Sequence, residues 1–371
     1  MIKDEKYEYW FACIRPLSDR KKTLLWEKAG CARAVYYIEE NQLKKMEFLT
    51  EKDCDTLKIF QKKTALDMEY EKLIDKKIRF VPFFDKAYPE RLKTIADPPY
   101  ALFVRGKIPR DSRPAVAIVG ARKCSAYGER EAIRFASGLA SCGVQVISGM
   151  ARGVDGAAGR GALSVGGDSY AVLGSGVDVC YPRENRGLYE DLMEKGGILS
   201  EQLPGAAPRR EYFPRRNRII SGLADAVLIM EAGERSGSLI TADIALEQGK
   251  DVFALPGPVD SPLSRGCNEL IRQGAGILLS PGELAEDLKL SVCSNGEKTG
   301  DADRKQSDKN KKVLESTENI VYSCLGLYPR SVSQLSEETK LPPAVLVETL
   351  VSLELKGYIR EISKNHYIRS G

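Results

Sequence analysis

The residues best suited to chemistry in this chain are arginines set among glycine and serine. Five segments carry them. The first is Gly120-Ala121-Arg122-Lys123-Cys124-Ser125-Ala126-Tyr127-Gly128, and the second is Ser148-Gly149-Met150-Ala151-Arg152-Gly153-Val154-Asp155-Gly156. The third, Gly174-Ser175-Gly176-Val177-Asp178, runs on to Tyr181-Pro182-Arg183-Glu184-Asn185-Arg186. The fourth is Phe213-Pro214-Arg215-Arg216-Asn217-Arg218, and the fifth is Gly233-Glu234-Arg235-Ser236-Gly237-Ser238-Leu239-Ile240-Thr241. Glycine lets the backbone approach a ligand closely. Amides at a helix N-terminus favour an anion, and a guanidinium offers phosphate a two-pronged donor. One such segment is a weak signal. Five of them describe a cradle.

Other chemistries lack their residues. The nucleotide-hydrolysing pattern G-x-x-x-x-G-K-[ST] is absent. Gly174-Ser175-Gly176 opens a dinucleotide fingerprint that has no suitable third glycine or alanine. The single histidine, His366, lies near the C-terminus, which removes His-based acid–base catalysis and Ser-His triads from the core. Nine scattered cysteines with no C-x-x-C pair argue against a zinc site and a disulfide framework, and for reduced thiols in the cytosol. The expectation is therefore a binding protein with no catalytic residue, no metal and no cofactor. A nucleotide-processing enzyme of phosphoribohydrolase type is the alternative. It needs a carboxylate beside the sugar, for which Glu231 and Asp155 are the candidates.

The elements that would position these loops follow a strand–loop–helix rhythm. Short apolar runs occur at Ala115–Gly120, Val144–Gly149, Tyr170–Gly174, Ile198–Glu201, Ala226–Met230 and Val252–Leu255. Uninterrupted apolar strands alternating with helices predict an α/β fold whose parallel, Rossmann-like sheet is covered on both faces. Loops at the carboxyl ends of such strands form a binding crevice. Before this block, residues 1–79 read as a helical domain, and the Pro-punctuated stretch 80–106 reads as a connector into the core domain, 80–290. Residues 291–311 lack apolar periodicity and read as a flexible linker. Residues 312–371 run helix, helix, helix, hairpin, the order of a winged helix.

At 371 residues the chain is long enough for two or three domains. Its net charge of +4 is too small for general polyanion adhesion, so any nucleic-acid surface must come from local clusters of Arg and Lys. No apolar run reaches membrane-spanning length, and Met1-Ile2-Lys3-Asp4-Glu5-Lys6 lacks a secretory signal, so a cytoplasmic location is expected.

The same strings, in the same order, resemble the DNA-processing protein A family (DprA, also called Smf). They are Val119-Gly120-Ala121-Arg122, the Ser148–Asp155 segment, Gly174–Asp178 with Tyr181-Pro182, Phe213–Leu223, Ser236–Ala242, and Pro256-Gly257 followed by Gly266–Ile271. The resemblance spans about Phe80 to Leu290 and is looser in the outer blocks. It implies a cytoplasmic bacterial protein that binds single-stranded DNA and helps load the RecA recombinase, notably in natural transformation. It also implies a homodimer formed through the Rossmann-like domain. Arg122 falls where the family places a DNA-contacting arginine, and Arg183 to Arg186 fall at another basic contact. In one departure, Gly159 stands where the family often has histidine.

The DNA-contact candidates are Gly120, Arg122, Ser148, Gly149, Arg152, Gly174, Gly176, Arg183, Asn185, Arg186, Phe213, Arg215, Arg216, Asn217, Arg218, Ser236, Gly237, Ser238 and Thr241. Several have a second reading. Arg122 could cap a helix or pair with a carboxylate, and Arg152 stands between ion pair and phosphate contact. Asp155 reads as an N-cap. Arg216 and Arg218, two apart in a helix, cannot share a face, so at least one is structural; Arg215 and Arg218 can share one. Ser236, Ser238 and Thr241 are caps or hydroxyls around an anion. Tyr181 and Phe213 are either core or platforms that stack a base for about 1–3 kcal/mol.

Overall fold

The computed structural model describes residues 2–62, 66–288, 316–325, 330–363 and 365–369. The chain divides into two compact units, Met1–Cys293 and Ser294–Gly371. The expected linker, 291–311, lies outside the described residues.

The first unit is built on a nine-stranded sheet. In chain order the strands are β1 (Arg79–Pro82), β2 (Ala101–Gly106), β3 (Ala115–Val119), β4 (Gln145–Ser148), β5 (Ser169–Val172), β6 (Gly197–Ser200), β7 (Ala226–Ile229), β8 (Asp251–Ala254) and β9 (Gly276–Ile277). Their spatial order is β1-β2-β6-β5-β4-β3-β7-β8-β9. The pairs from β6 through β9 are all parallel. The chain thus builds outward from β3 through β4 and β5 to β6, then returns to β3's other side at β7. That reversal makes the carboxyl end of β3 the topological switch point, where ligands settle in open parallel sheets.

Every residue of β3, β4 and β7 is buried, because helices cover both sheet faces. Along β3 the side chains alternate: Ala115, Ala117 and Val119 join one core, Val116 and Ile118 the other. On the first face pack helices Tyr212–Gly222, Gly237–Glu247 and Arg265–Arg272, through Ile219, Ala242 and Leu270 among others. On the second pack Ala126–Ser141 and Val154–Ser164, through Phe135, Leu139 and Ala158. Phe135 and Leu139 are fully buried, so truncating either to alanine would cost about 2–5 kcal/mol.

Residues 80–106 are more than a connector. They contribute β1 and β2, which pair antiparallel with each other and join β2 antiparallel to β6. The helical region before them packs on this edge. Trp10, Phe11, Leu25, Leu43 and Leu57 form a core that takes in Tyr100 and Ala101 at the entrance to β2. Its turns are set locally: Ser18 caps helix Asp19–Ala29, Gly30 ends it in the left-handed conformation, and Thr50 with Asp53 forms a capping box on Glu51–Gln61.

The second unit contains helices Ser316–Cys324, Val332–Thr339 and Pro343–Leu355, and strands β10 (Arg330–Ser331), β11 (Ile359–Ser363) and β12 (His366–Arg369). The strands are ordered β10-β12-β11 around a core of Val321, Leu335, Leu346, Leu350, Leu353 and Ile359. This is the winged-helix order. His366 lies in β12. Among the described residues no helix is long and apolar enough to cross a membrane.

Candidate functional site

A cavity of about 630 Å³ opens at the switch point. Its floor and walls come from the ends of β3 and β4 and from the two helices flanking β7. Gly120 and Arg122 enter from β3; Ala151 and Asp155 enter from β4. Helix Tyr212–Gly222 offers Phe213, Arg216, Asn217 and Ile220, spaced as one helical stripe. Helix Gly237–Glu247 points its N-terminus at the cavity, with Ser236, Gly237, Ser238 and Thr241 in the lining. Ser236 is that helix's N-cap, accepting from the Ser238 amide at 3.4 Å, and its hydroxyl lies 2.7 Å from the Ser238 hydroxyl. Of these residues Ser236 caps the helix, while Ser238 and Thr241 lie within its first turns and line the cavity with it. The helix end brings its positive dipole to the same place.

A smaller recess of about 50 Å³ shares Arg122, Tyr181, Phe213 and Arg216 with it and adds Gly149 and Arg152. Two cations lie close to the Phe213 ring. The guanidinium carbon of Arg122 is 5.4 Å from its centroid and that of Arg216 is 6.0 Å away. Tyr181 tilts against the same ring at 5.7 Å, with 42 % of its surface exposed. Gly174 allows this placement, since a Cβ there would stand 3.0 Å from the Phe213 ring. Gly149 has the same role for Arg216, whose guanidinium a Cβ would overlap.

Arg216 is buried, and its Nη1 donates to the carbonyls of Gly149, at 2.9 Å, and Val172. Burial pulls its pKa down to about 10, with Asp155 opposing and Arg122 adding to the fall, so it stays charged at neutral pH. Asp155 is buried too. Its carboxylate accepts from the amides of Gly149, at 3.1 Å, and Ala151, at 3.4 Å. Burial pushes Asp155 above its ordinary 3.8 against the pull of Arg216 and those amides. Asp155 is not the N-cap: that position is Gly153, at φ +69°, and the carboxylate reaches back to fold the β4 loop. Glu231 is likewise committed, accepting from the Ser125 amide at 2.8 Å and from the Ser125 hydroxyl at 2.5 Å.

The remaining expected residues lie away from the cavity. Arg215 and Arg218 share the opposite face of helix Tyr212–Gly222. Arg218 pairs with buried Glu201 at 2.6 Å and with Asp97 at 3.2 Å. Arg215 reaches Glu201 at 3.3 Å and Asp19 at 3.6 Å. Ser148 is buried and donates to the Ile118 carbonyl at 2.9 Å. Asn185 donates to the carbonyls of Met150 and Ala151 at 3.0 and 2.9 Å, holding the β4 loop. Gly176 lies against Leu203 and Gly205. Arg183 and Arg186 are exposed outside both cavities, and Arg186 pairs with Glu190 at 2.9 Å. Arg152 pairs with Glu184 while lining the smaller recess. Arg210 was not anticipated. It is exposed, lines the larger cavity and has no carboxylate partner among the described residues. Its position three residues before Phe213 was the available signal. Among the described residues no cluster of three His, Cys, Asp or Glu could hold a metal ion.

Known proteins resemble this chain in sequence and fold. The family described as DNA recombination-mediator protein A matches residues 79–289, and the DprA winged helix domain matches 305–363. Protein Smf of Escherichia coli is 40% identical over 285 residues, 76% of this chain and 75% of that protein. DNA processing protein DprA of Streptococcus pneumoniae is 43% identical over 196 residues, 53% of this chain and 69% of that protein. The X-ray structure of the S. pneumoniae protein superposes with a TM-score of 0.68 at 33% identity, covering 76% of this chain and 97% of that one. A Helicobacter pylori DNA processing protein A, whose structure was described for its single-stranded DNA binding mode, superposes with a TM-score of 0.53 at 29% identity. That match covers 57% of this chain and 96% of the H. pylori chain. The chain belongs to the DNA recombination-mediator protein A (DprA/Smf) family.

Proposed function

We propose that this protein is a non-catalytic mediator of DNA recombination that holds the phosphates of single-stranded DNA in the switch-point cavity. The observation that carries this reading is the lining itself. Arg122 and Arg210 reach the cavity without carboxylate partners among the described residues, beside the capped N-terminus of helix Gly237–Glu247 and the Phe213–Tyr181 pair. Guanidinium and amide donors suit a phosphate backbone, while an exposed aromatic suits an unpaired base. The named binding mode of the H. pylori relative supports it. The enzyme alternative is weakened because both candidate carboxylates are occupied: Asp155 by backbone amides and Glu231 by Ser125. By the same kinship we propose a cytoplasmic homodimer that hands single strands to a RecA-type recombinase, as in natural transformation.

Binding of labelled oligo-dT and of mixed sequence across a salt series tests the first step. With about four phosphates engaged, the slope of log affinity against log salt is expected near −3. Single strands should bind more tightly than duplex of equal length. A flat salt response, or tighter binding of a free mononucleotide than of the oligomer, would overturn the reading.

A further inference from the structure

In a winged-helix domain that reads DNA, the recognition helix carries base contacts and the protein supplies Lys and Arg to the phosphates. Helix Pro343–Leu355, with sequence PAVLVETLVSLEL, has neither lysine nor arginine. Its inward face, Leu346, Thr349, Leu350 and Leu353, is buried in the unit's core. The opposite face is also apolar. Val347 and Val351 are each 48 % exposed and Leu355 is 85 % exposed. They lie at i, i+4 and i+8, a ridge about 12 Å long at ~1.5 Å per residue. At about 100° per residue, Glu348 and Glu354 fall on opposite flanks of that ridge, and both are exposed. The fold gains little by holding these three side chains in water.

We propose that this ridge is a docking surface for a basic amphipathic helix of a partner protein. A straight ridge at helical spacing accepts the apolar stripe of a second helix laid along it. The two carboxylates would then meet lysine or arginine on the partner's flanks. Charge decides against other occupants. Two copies of this helix would bring four carboxylates to one seam with no cation to answer them. A nucleic acid would bring phosphates against the same two carboxylates.

The test uses the full chain and two labelled synthetic peptides of about four helical turns. Both carry leucine at i, i+4 and i+8; one has lysine on the flanks, the other glutamate. The lysine peptide should bind saturably and the glutamate peptide should not. The double variant Val347→Ser/Val351→Ser keeps every charge and should bind about tenfold more weakly. Glu348→Gln/Glu354→Gln should weaken binding and flatten its salt dependence, and neither variant should change oligo-dT affinity. Equal peptide affinity in the serine variant would overturn the proposal, as would glutamine substitutions without effect. Self-association by sedimentation that the serine variant abolishes would identify a second copy as the occupant. Loss of oligo-dT binding in the serine variant would make the ridge a nucleic-acid surface.

Discussion

Arg122 stands exposed at the cavity, 5.4 Å from the Phe213 centroid, with no carboxylate to neutralise it among the described residues. Its charge is therefore available to a ligand. Arg122→Ala should weaken oligo-dT binding about ten- to hundredfold, the loss of one charge-assisted contact, and leave the melting curve in place. An unchanged gel-shift midpoint would remove Arg122 from the site. Arg218 should behave in the opposite way. It is buried against Glu201, so Arg218→Ala leaves that carboxylate short of a partner and should cost about 3–5 kcal/mol of stability in denaturant titrations. A stable Arg218→Ala protein would contradict the burial argument. The spacing of Arg215, Arg216 and Arg218 already separated them into two faces. It did not say which face looks into the cavity, because Glu201 and Asp97, which draw Arg218 away, are distant in sequence. Asp155 was misread for a related reason: its amide partners lie upstream of the helix it enters, whereas an N-cap serves amides downstream.

Helix Tyr212–Gly222 shows how an element carries two functions at once. Its Phe213-Arg216-Asn217-Ile220 stripe lines the cavity, while Arg215 and Arg218 bind it to β6 and to the N-terminal helices. Asp19 is the contact on the N-terminal side. Burial alone would raise its carboxyl, but Lys22 at 3.1 Å and Arg215 outweigh that and hold it below the ordinary 3.8. A carboxyl with a lowered folded-state pKa stabilises the fold at pH above its unfolded value, and the contribution disappears as pH falls through the folded-state pKa. The melting-temperature gap between wild type and Asp19→Asn should therefore be widest above about pH 5 and close below about pH 4. A gap that persists unchanged into acid would show that the ion pairs at this junction are not its source. At this scale the parallel strands β3 to β8 were legible because each is a short, mainly apolar run set between helical stretches. The β1–β2 pair was not, because Pro82, Pro98 and Pro99 punctuate it and its partner strand, β6, arrives some ninety residues later. β9 escaped as well, being only Gly276–Ile277.

Taken whole, the first unit draws its cavity chiefly from two separate stretches of chain, with Tyr181 added from the segment between them. Gly120 to Asp155 supply one side, and Arg210 to Thr241 supply the other, across the β3–β7 pair that joins them. Neither stretch makes the site alone, so a ligand can be bound only when the sheet is closed between them. Occupancy and folding are then thermodynamically linked. A ligand that recognises the native cavity but not the open chain adds stability of RT ln(1 + [L]/Kd), about 2.7 kcal/mol at a hundred times Kd. Oligo-dT should accordingly raise the melting temperature of the intact chain in proportion to the logarithm of its concentration, and Arg122→Ala should shift that dose response to higher concentration. A melting temperature indifferent to saturating oligo-dT would mean that the strand does not bind the native cavity in preference to the open chain. On the proposed reading a bound strand would act as a suture across the midline of the domain, and the protein that carries one would be harder to unfold than the one that has released it.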